Sequence, residues 1–301
     1  MNTKVTIAGV ELKNPVMTAS GTFGSGMEFA ALTDLNKLGA VTTKGVAIRP
    51  WPGNATPRIA ETPSGMINAI GLQNAGLDTF LSRDLPFLED YDTRVVVNVC
   101  GKSVEEYCEA VERLDKEKRV DLLEINISCP NVKEGGIAFG QDPRAAAEIT
   151  RELRKRTTKP LIMKLSPNVT DITVMAKAVE AEGADAVSLI NTLTGMKIDI
   201  RRRSFALANR TGGLSGPAIR PVAVRMVWQV AQAVKVPIIG MGGIACAEDA
   251  LEFIMAGATA VSIGTASFHD PKTAEKTAQG IEQFMRENGV KDIHELIGCV
   301  R

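Results

Sequence analysis

The run Leu122-Leu123-Glu124-Ile125-Asn126-Ile127, the pair Asp142-Pro143, the helical stretch Ala145–Arg156 and the run Leu161-Ile162-Met163-Lys164-Leu165 decide the fold. Each short run is apolar almost throughout instead of alternating, as in a parallel strand covered on both faces. Asp142 offers a side-chain acceptor to the first helical N–H groups, and Pro143 is pre-set for the first turn. Strand, helix, strand in that order is a crossover that leaves the two strands parallel. The same unit recurs in both directions along the chain. Strands are expected at Val16–Ala19, Ala40–Lys44, Val95–Val99, Leu122–Ile127, Leu161–Leu165, Ala186–Ile190, Pro237–Gly240 and Ala260–Ile263. Ser103 with Glu106 reads as a capping box before a helix running to Lys118, and Ala247–Ala256 stops on Gly257. Eight repeats in 301 residues predict an α/β fold, a single (β/α)8 TIM barrel over 1–301.

The C-terminal face of such a barrel carries the active site. That face should receive Ser20, Lys44, Asn98, Asn126, Lys164, Asn191, Gly242-Gly243 and Gly264-Thr265. The connections also swell on this side, at Gly45–Leu77, Ser128–Gln141 and Asn191–Ile219, where they can roof a pocket. A single asparagine or glycine often does no more than end a strand; eight polar or glycine ends together favour a site. Gly240-Met241-Gly242-Gly243-Ile244 and Gly264-Thr265 fall after strands seven and eight, where barrels hold phosphates on backbone N–H groups. Gly212-Gly213-Leu214-Ser215-Gly216 reads as a third glycine loop. Three such loops at one end suggest a phosphate-bearing cofactor. The run Gly21-Thr22-Phe23-Gly24-Ser25-Gly26 lacks the glycine order of a dinucleotide fingerprint.

Composition removes several classes of function. Lys plus Arg and Asp plus Glu both number 35, so net charge gives no reason to expect a nucleic-acid partner. Met1–Leu12 alternates polar and apolar residues without a signal-peptide pattern. No apolar stretch reaches the roughly 18 residues of a membrane span. A cytoplasmic protein is expected. The five cysteines form no Cys-x-x-Cys pair, which argues against a disulfide framework, a metal site or an on-chain iron–sulfur cluster. Cys100, Cys108, Cys246 and Cys299 are expected to be packing residues, and His269 and His294 surface or capping groups. Arg201-Arg202-Arg203 reads as a solvated loop within reach of a partner or the cofactor phosphate.

The stretch Asn126-Ile127-Ser128-Cys129-Pro130-Asn131-Val132, continuing as Lys133-Glu134-Gly135-Gly136-Ile137-Ala138-Phe139-Gly140, is the most specific in the chain. Together with Thr18-Ala19-Ser20-Gly21-Thr22, Lys44, Asn68-Ala69-Ile70-Gly71-Leu72-Gln73-Asn74, Lys164, Asn191-Thr192 and the later glycine loops, it resembles the class 1 dihydroorotate dehydrogenases over nearly the whole chain. Cys129, where the membrane-associated class has serine, and the 131–136 loop point to the NAD-linked branch, class 1B. The fumarate-dependent branch is the alternative. Dihydropyrimidine dehydrogenases and the flavoenzymes that reduce uridine in tRNA are more distant ones, and a non-catalytic metabolite-binding barrel is the reading of another class.

The resemblance implies oxidation of (S)-dihydroorotate to orotate in pyrimidine biosynthesis. A hydride passes to FMN, and Cys129 takes a proton. FMN would be held by Ser20, Lys44, Gly45, Asn98, Asn126, Lys164, Ile190, Gly216, Gly242, Gly243, Gly264 and Thr265, with 21–26 beside the flavin ring. Substrate would be held by Lys44, Asn68, Ala69, Ile70, Gly71, Leu72, Asn126, Asn131, Asn191 and Thr192, and 133–140 would be a lid. Asparagine offers both donor and acceptor to the pyrimidine edge. A lysine that ends an apolar strand is costly unless something anionic meets it. Class 1B further implies a partner subunit carrying FAD and a [2Fe–2S] cluster, in a heterotetramer of two catalytic and two electron-transfer subunits.

Overall fold

Eight short, fully buried runs hydrogen-bond side by side until the last meets the first. In the computed structural model, which describes residues 1–127 and 139–300, these are β1 Val16–Thr18, β2 Ala40–Thr42, β3 Arg94–Val99, β4 Leu122–Asn126, β5 Leu161–Lys164, β6 Ala186–Leu189, β7 Ile238–Met241 and β8 Ala260–Ile263. All are parallel and follow chain order around a closed barrel, with β8 paired to β1 through Ile263 and Thr18. The expected strands therefore stand within one or two residues at each end. Ala19, Lys44, Leu165 and Ile190 fall just past their strands, which puts them on the loops of the mouth.

The crossovers form where the caps predicted them. Ser103 accepts from the Glu106 N–H ahead of Val104–Asp115, Asp142 from the Arg144 N–H ahead of Pro143–Arg154, and Asp171 from the Thr173 N–H ahead of Ile172–Ala181. The Ser103 box is only half built, because the Glu106 carboxylate takes the N–H of Lys102. That helix also stops at Asp115, short of the expected Lys118. Ala247–Ala256 ends on Gly257 at φ +121°, a conformation that a side chain disfavours. The first crossover contains only turns and the 3-10 turn Leu35–Lys37. The second runs from Leu77–Thr79 through a π-helical turn at Phe80–Asp84 into Leu85–Glu89.

The barrel's lower end is closed by the start of the chain. Val5–Ile7 and Val10–Leu12 pair as a hairpin that buries Val5, Ile7 and Leu12 and leaves Thr6 and Glu11 exposed, so the alternation at the N-terminus is that of a strand pair. Arg94, which opens β3, donates to the Glu11 carbonyl and ties the hairpin to this end. The segment 291–293 also meets the start of the chain there. Asn2 donates to the Lys291 carbonyl and the Asp292 carboxylate, and its own carbonyl receives the Ile293 N–H.

At the opposite end two of the three insertions form one cover. Ile59–Thr62 and Gly65–Asn68, after β2, pair with Thr211–Ser215 and Leu193–Met196, after β6, as a four-stranded antiparallel sheet. Thr211–Ser215 is thus a strand, where a glycine loop was expected. Its glycines serve layer contact: a Cβ at Gly212 would lie 2.6 Å from the Asn68 carbonyl, and one at Gly213 would overlap Thr192. The third insertion lies mostly outside the described residues. Ile198–Asp199 and Ser204–Phe205 make a small outer hairpin whose turn exposes Arg201, Arg202 and Arg203.

Candidate active site at the barrel mouth

Polar side chains inside an apolar barrel must satisfy one another, and four do so. Glu124, on β4, is 3% exposed. Its Oε2 accepts from Asn98 Nδ2 of β3 at 2.6 Å and from Lys164 Nζ of β5 at 3.3 Å, and its Oε1 accepts from Ser188 Oγ of β6 at 2.8 Å. A buried carboxylate is costly unless paired and hydrogen-bonded; this one is both. Sequence reasoning found Asn98 and Lys164 and missed Glu124 and Ser188. The signal was there: an acidic residue in the middle of an otherwise apolar strand asks for a cation and donors on neighbouring strands. The Asn98 amide oxygen, also buried, has no hydrogen-bond partner among the described residues. It faces Gly45, whose missing side chain leaves room: a Cβ there would lie 3.1 Å from it.

Lys44 projects into the same mouth, half-buried, with Gly21 alongside: a Cβ at Gly21 would lie 3.8 Å from Lys44 Nζ. Burial pushes the Lys44 ammonium below its ordinary pKa, Cys100 opposes the shift, and the charges of Arg58 and Lys164 add to it. Farther along 21–26, Thr22 lies beside Gly264 and Phe23 is fully buried.

On the other side of the mouth, Asn126 ends β4 with its carbonyl held by the Tyr107 hydroxyl at 2.6 Å. Its Oδ1 faces Asn191 Nδ2 at 3.4 Å, and Asn191 Oδ1 accepts the Thr192 N–H at 2.8 Å. Asn168, which sequence reasoning did not single out, clamps this turn through the Thr192 carbonyl and the Thr194 N–H.

Asn68 enters from the roof, where it pairs with Gly213 and Ile59. In the turn that follows, Gly71 and Leu72 have φ of +73° and +53°. The carbonyls of Ala69, Ile70 and Leu72 are occupied by Asn54 and Asn74. The N–H groups of Ile70, Gly71 and Leu72 have no partner among the described residues. Consecutive free amides of this kind suit an anion.

The glycine loops expected to take the phosphate lie beside helix starts, not all of which carry side-chain caps. Crossovers after β3, β4 and β5 have side-chain caps, whereas the 3-10 turn Pro217–Ile219, the helix Arg220–Ala231 and the 3-10 turn Thr265–Phe268 have none. Gly243, at φ +80°, lies against the second of these: a Cβ there would sit 2.7 Å from the Gly216 carbonyl and 3.1 Å from the Arg220 nitrogen. Thr265 Oγ1 donates to Ser215 Oγ at 2.8 Å, which draws the strand-six and strand-eight loops together. Ile190, buried, donates its N–H to the Met241 carbonyl and lies beside Gly242. Ala19 is held by the Ile263 carbonyl, which leaves Ser20 at the rim near Gly264. The N–H groups of Gly243 and Thr265 have no partner among the described residues and can donate to a phosphate, and a buried amide oxygen without a partner among those residues can accept the N–H of an anionic heterocycle. These residues fit FMN.

Cys129 and Asn131 lie outside the described residues, as does 133–138 of the expected lid. Among the described residues no cluster of metal-ligating side chains occurs. Cys100 and Cys108 are buried packing residues as expected; Cys246 and Cys299 are exposed, because they sit at a helix start and near the chain end instead of inside the barrel wall. His294 accompanies the Asp292 cap on the surface. A cavity of about 460 Å³ lies at the tips of the two roof insertions, lined by Ile59, Lys197 and Arg201 among others, and contains none of the expected site residues. No helix among the described residues is long and apolar enough to cross a membrane.

Three comparisons bear on this geometry. The family described as dihydroorotate dehydrogenase matches residues 2–285. The chain is 69% identical over 301 residues, all of both chains, to a protein of Lachnoclostridium phytofermentans named dihydroorotate dehydrogenase B (NAD(+)), catalytic subunit. A Geotalea uraniireducens protein of the same name is 62% identical over 296 residues, 98% of this chain and 97% of that one. Among solved structures, that of the Eimeria tenella enzyme DHODH in complex with ferulenol superposes with a TM-score of 0.80 at 24% identity, over 99% of this chain and 88% of that one.

Proposed function

The chain belongs to the dihydroorotate dehydrogenase family, and on that premise we propose how its barrel mouth divides the work. It is an oxidoreductase, the flavin-dependent catalytic subunit of a dihydroorotate dehydrogenase of the NAD-linked type, and it oxidises dihydroorotate to orotate in pyrimidine biosynthesis. As a catalytic subunit it works with a partner that carries electrons onward.

The assignment of residues is the proposal. When bound, FMN supplies the acceptor for the hydride that leaves C6 of the substrate. Asn98, Lys164 and Lys44 hold its pyrimidine edge, Ser20, Gly45, Asn126 and Ile190 line its ring, and Gly216, Gly242, Gly243, Gly264 and Thr265 take its phosphate. Asn68, Asn126, Asn131, Asn191 and Thr192 bind the substrate's ring, and the amides of Ile70, Gly71 and Leu72 receive its carboxylate, with Ala69 positioning that turn. Cys129 takes the C5 proton at its sulfur. A thiol is a weak base at neutral pH unless the site tunes it, and a closed, water-free mouth is how 133–140 would contribute. The partner carries FAD and a [2Fe–2S] cluster, and two copies of each subunit assemble in the cytoplasm. The barrel acts as one catalytic domain over 1–301.

The observation that carries this reading is the meeting, at one mouth, of the 70–72 amides, which have no partner among the described residues, Lys44, the Lys164–Glu124 pair and the glycine loops at 242–243 and 264. The test is spectral. The purified chain is yellow, is bleached anaerobically by dihydroorotate, and is not bleached by dihydrouracil, which lacks the carboxylate. Equal bleaching by both would remove the 70–72 turn from substrate recognition.

A further inference from the structure

We propose that Glu124 is a positioning residue for the flavin: it fixes which atom Asn98 presents and holds the Lys164 ammonium in place. The inference rests on the reading of this mouth as the FMN site. Four strands bring the parts together, with Asn98 on β3, Glu124 on β4, Lys164 on β5 and Ser188 on β6.

An ionised carboxylate only accepts hydrogen bonds. The Asn98 carboxamide must therefore turn its nitrogen toward Glu124, as the 2.6 Å contact shows. Its oxygen is thereby pointed the other way, toward the space beside Gly45, where it has no partner among the described residues. Were position 124 apolar, that amide would have no reason to prefer either orientation. With Glu124 the site offers an acceptor to an incoming imide N–H and never a donor. The same Oε2 atom receives Lys164 Nζ, so one carboxylate oxygen sets both groups. Ser188 takes the other oxygen and stops the carboxylate rotating out of this arrangement.

Glu124→Gln separates charge from shape. Glutamine can keep its oxygen toward Asn98 and Lys164 and donate from its nitrogen to the Ser188 hydroxyl, which accepts as well as donates. The negative charge is lost, and with it the constraint on Asn98, because a glutamine amide can equally turn its nitrogen to that residue and meet its oxygen. Negative charge on reduced flavin is then opposed by one fewer neighbouring anion. The midpoint potential of bound FMN in the holo protein, measured by dye equilibration, is expected to rise by about 30 mV. That is a tenfold change in the two-electron equilibrium. Glu124→Leu removes the orienting group as well, and is expected to weaken FMN binding at least tenfold. A Glu124→Gln protein whose flavin potential is unchanged or lowered overturns the proposal, whatever its turnover. Should Glu124→Leu fail to fold, the glutamine variant decides alone. The wild type is assayed first: a wild-type chain that binds no FMN overturns the cofactor reading and this inference with it, whereas normal FMN in the wild type with unmoved variants overturns only the role of Glu124.

Discussion

Two of the proposed site residues, Cys129 and Lys44, each give a measurable expectation. Cys129 must lose a proton to act, and serine in its place holds its proton far more tightly. Cys129→Ser is expected to keep FMN and orotate but to slow flavin reduction by roughly 10²–10⁴-fold, the worth of a positioned base. Stopped-flow bleaching measures it, and a reduction rate near wild type would take Cys129 out of the role. Lys44 is held below its ordinary pKa of 10.5, chiefly by burial. Its folded value then lies under its unfolded one. Between the two the unfolded chain binds the extra proton, so stability rises with pH across that window. Below it both states are charged, and the flavin-free fold bears the whole cost of burying the ammonium. Lys44→Met without cofactor should accordingly melt higher than the wild type near pH 7, with the gap closing as pH approaches about 10. Thermal melts at both pH values test this; a gap that widens with pH would be the wrong sign.

At the scale of elements, the phosphate corner depends on backbone that no side chain may enter. Gly243→Val would drive atoms into the Gly216 carbonyl and the start of Arg220–Ala231. The variant is expected to lose FMN on ultrafiltration, with binding weakened tenfold or more, because the amides must approach the phosphate closely. Full flavin occupancy would show that the phosphate lies elsewhere. The barrel could be read from sequence, because strand runs, caps and glycine stops are local signals. The roof could be read only in part. The swollen loops after β2 and β6 announced a cover, but Asn68 meets Gly213 across nearly half the chain, and nothing local marks 211–215 as a strand. Glu124 was hidden for a related reason. Its meaning lies in Asn98, Lys164 and Ser188, each on a different strand, and only closure of the barrel brings them together.

At the scale of the whole molecule, the chain should oxidise dihydroorotate and yet not pass the electrons to NAD unaided. The proposed site assigns the mouth to one flavin and one pyrimidine, and no strand in the sequence is followed by a dinucleotide fingerprint. NADH formation followed by absorbance should be negligible with this chain alone and appear on adding the electron-transfer subunit, while an artificial dye restores turnover without it. Robust NADH production by the lone chain would sink the two-subunit reading, and efficient fumarate reduction would move the enzyme to the other branch of its class.

The clasp between Asn2 and 291–293 has a practical meaning for anyone who rebuilds this protein. The first residues and the segment 291–293 lie together at the end of the barrel opposite the mouth. A short flexible tether can join them, and new ends can be cut in a surface turn such as Asn288-Gly289, where Gly289 has open space around it. Such a circularly permuted chain is expected to keep the residues of the mouth in place, and a handle attached near Asn2 lies at the end of the barrel opposite the mouth.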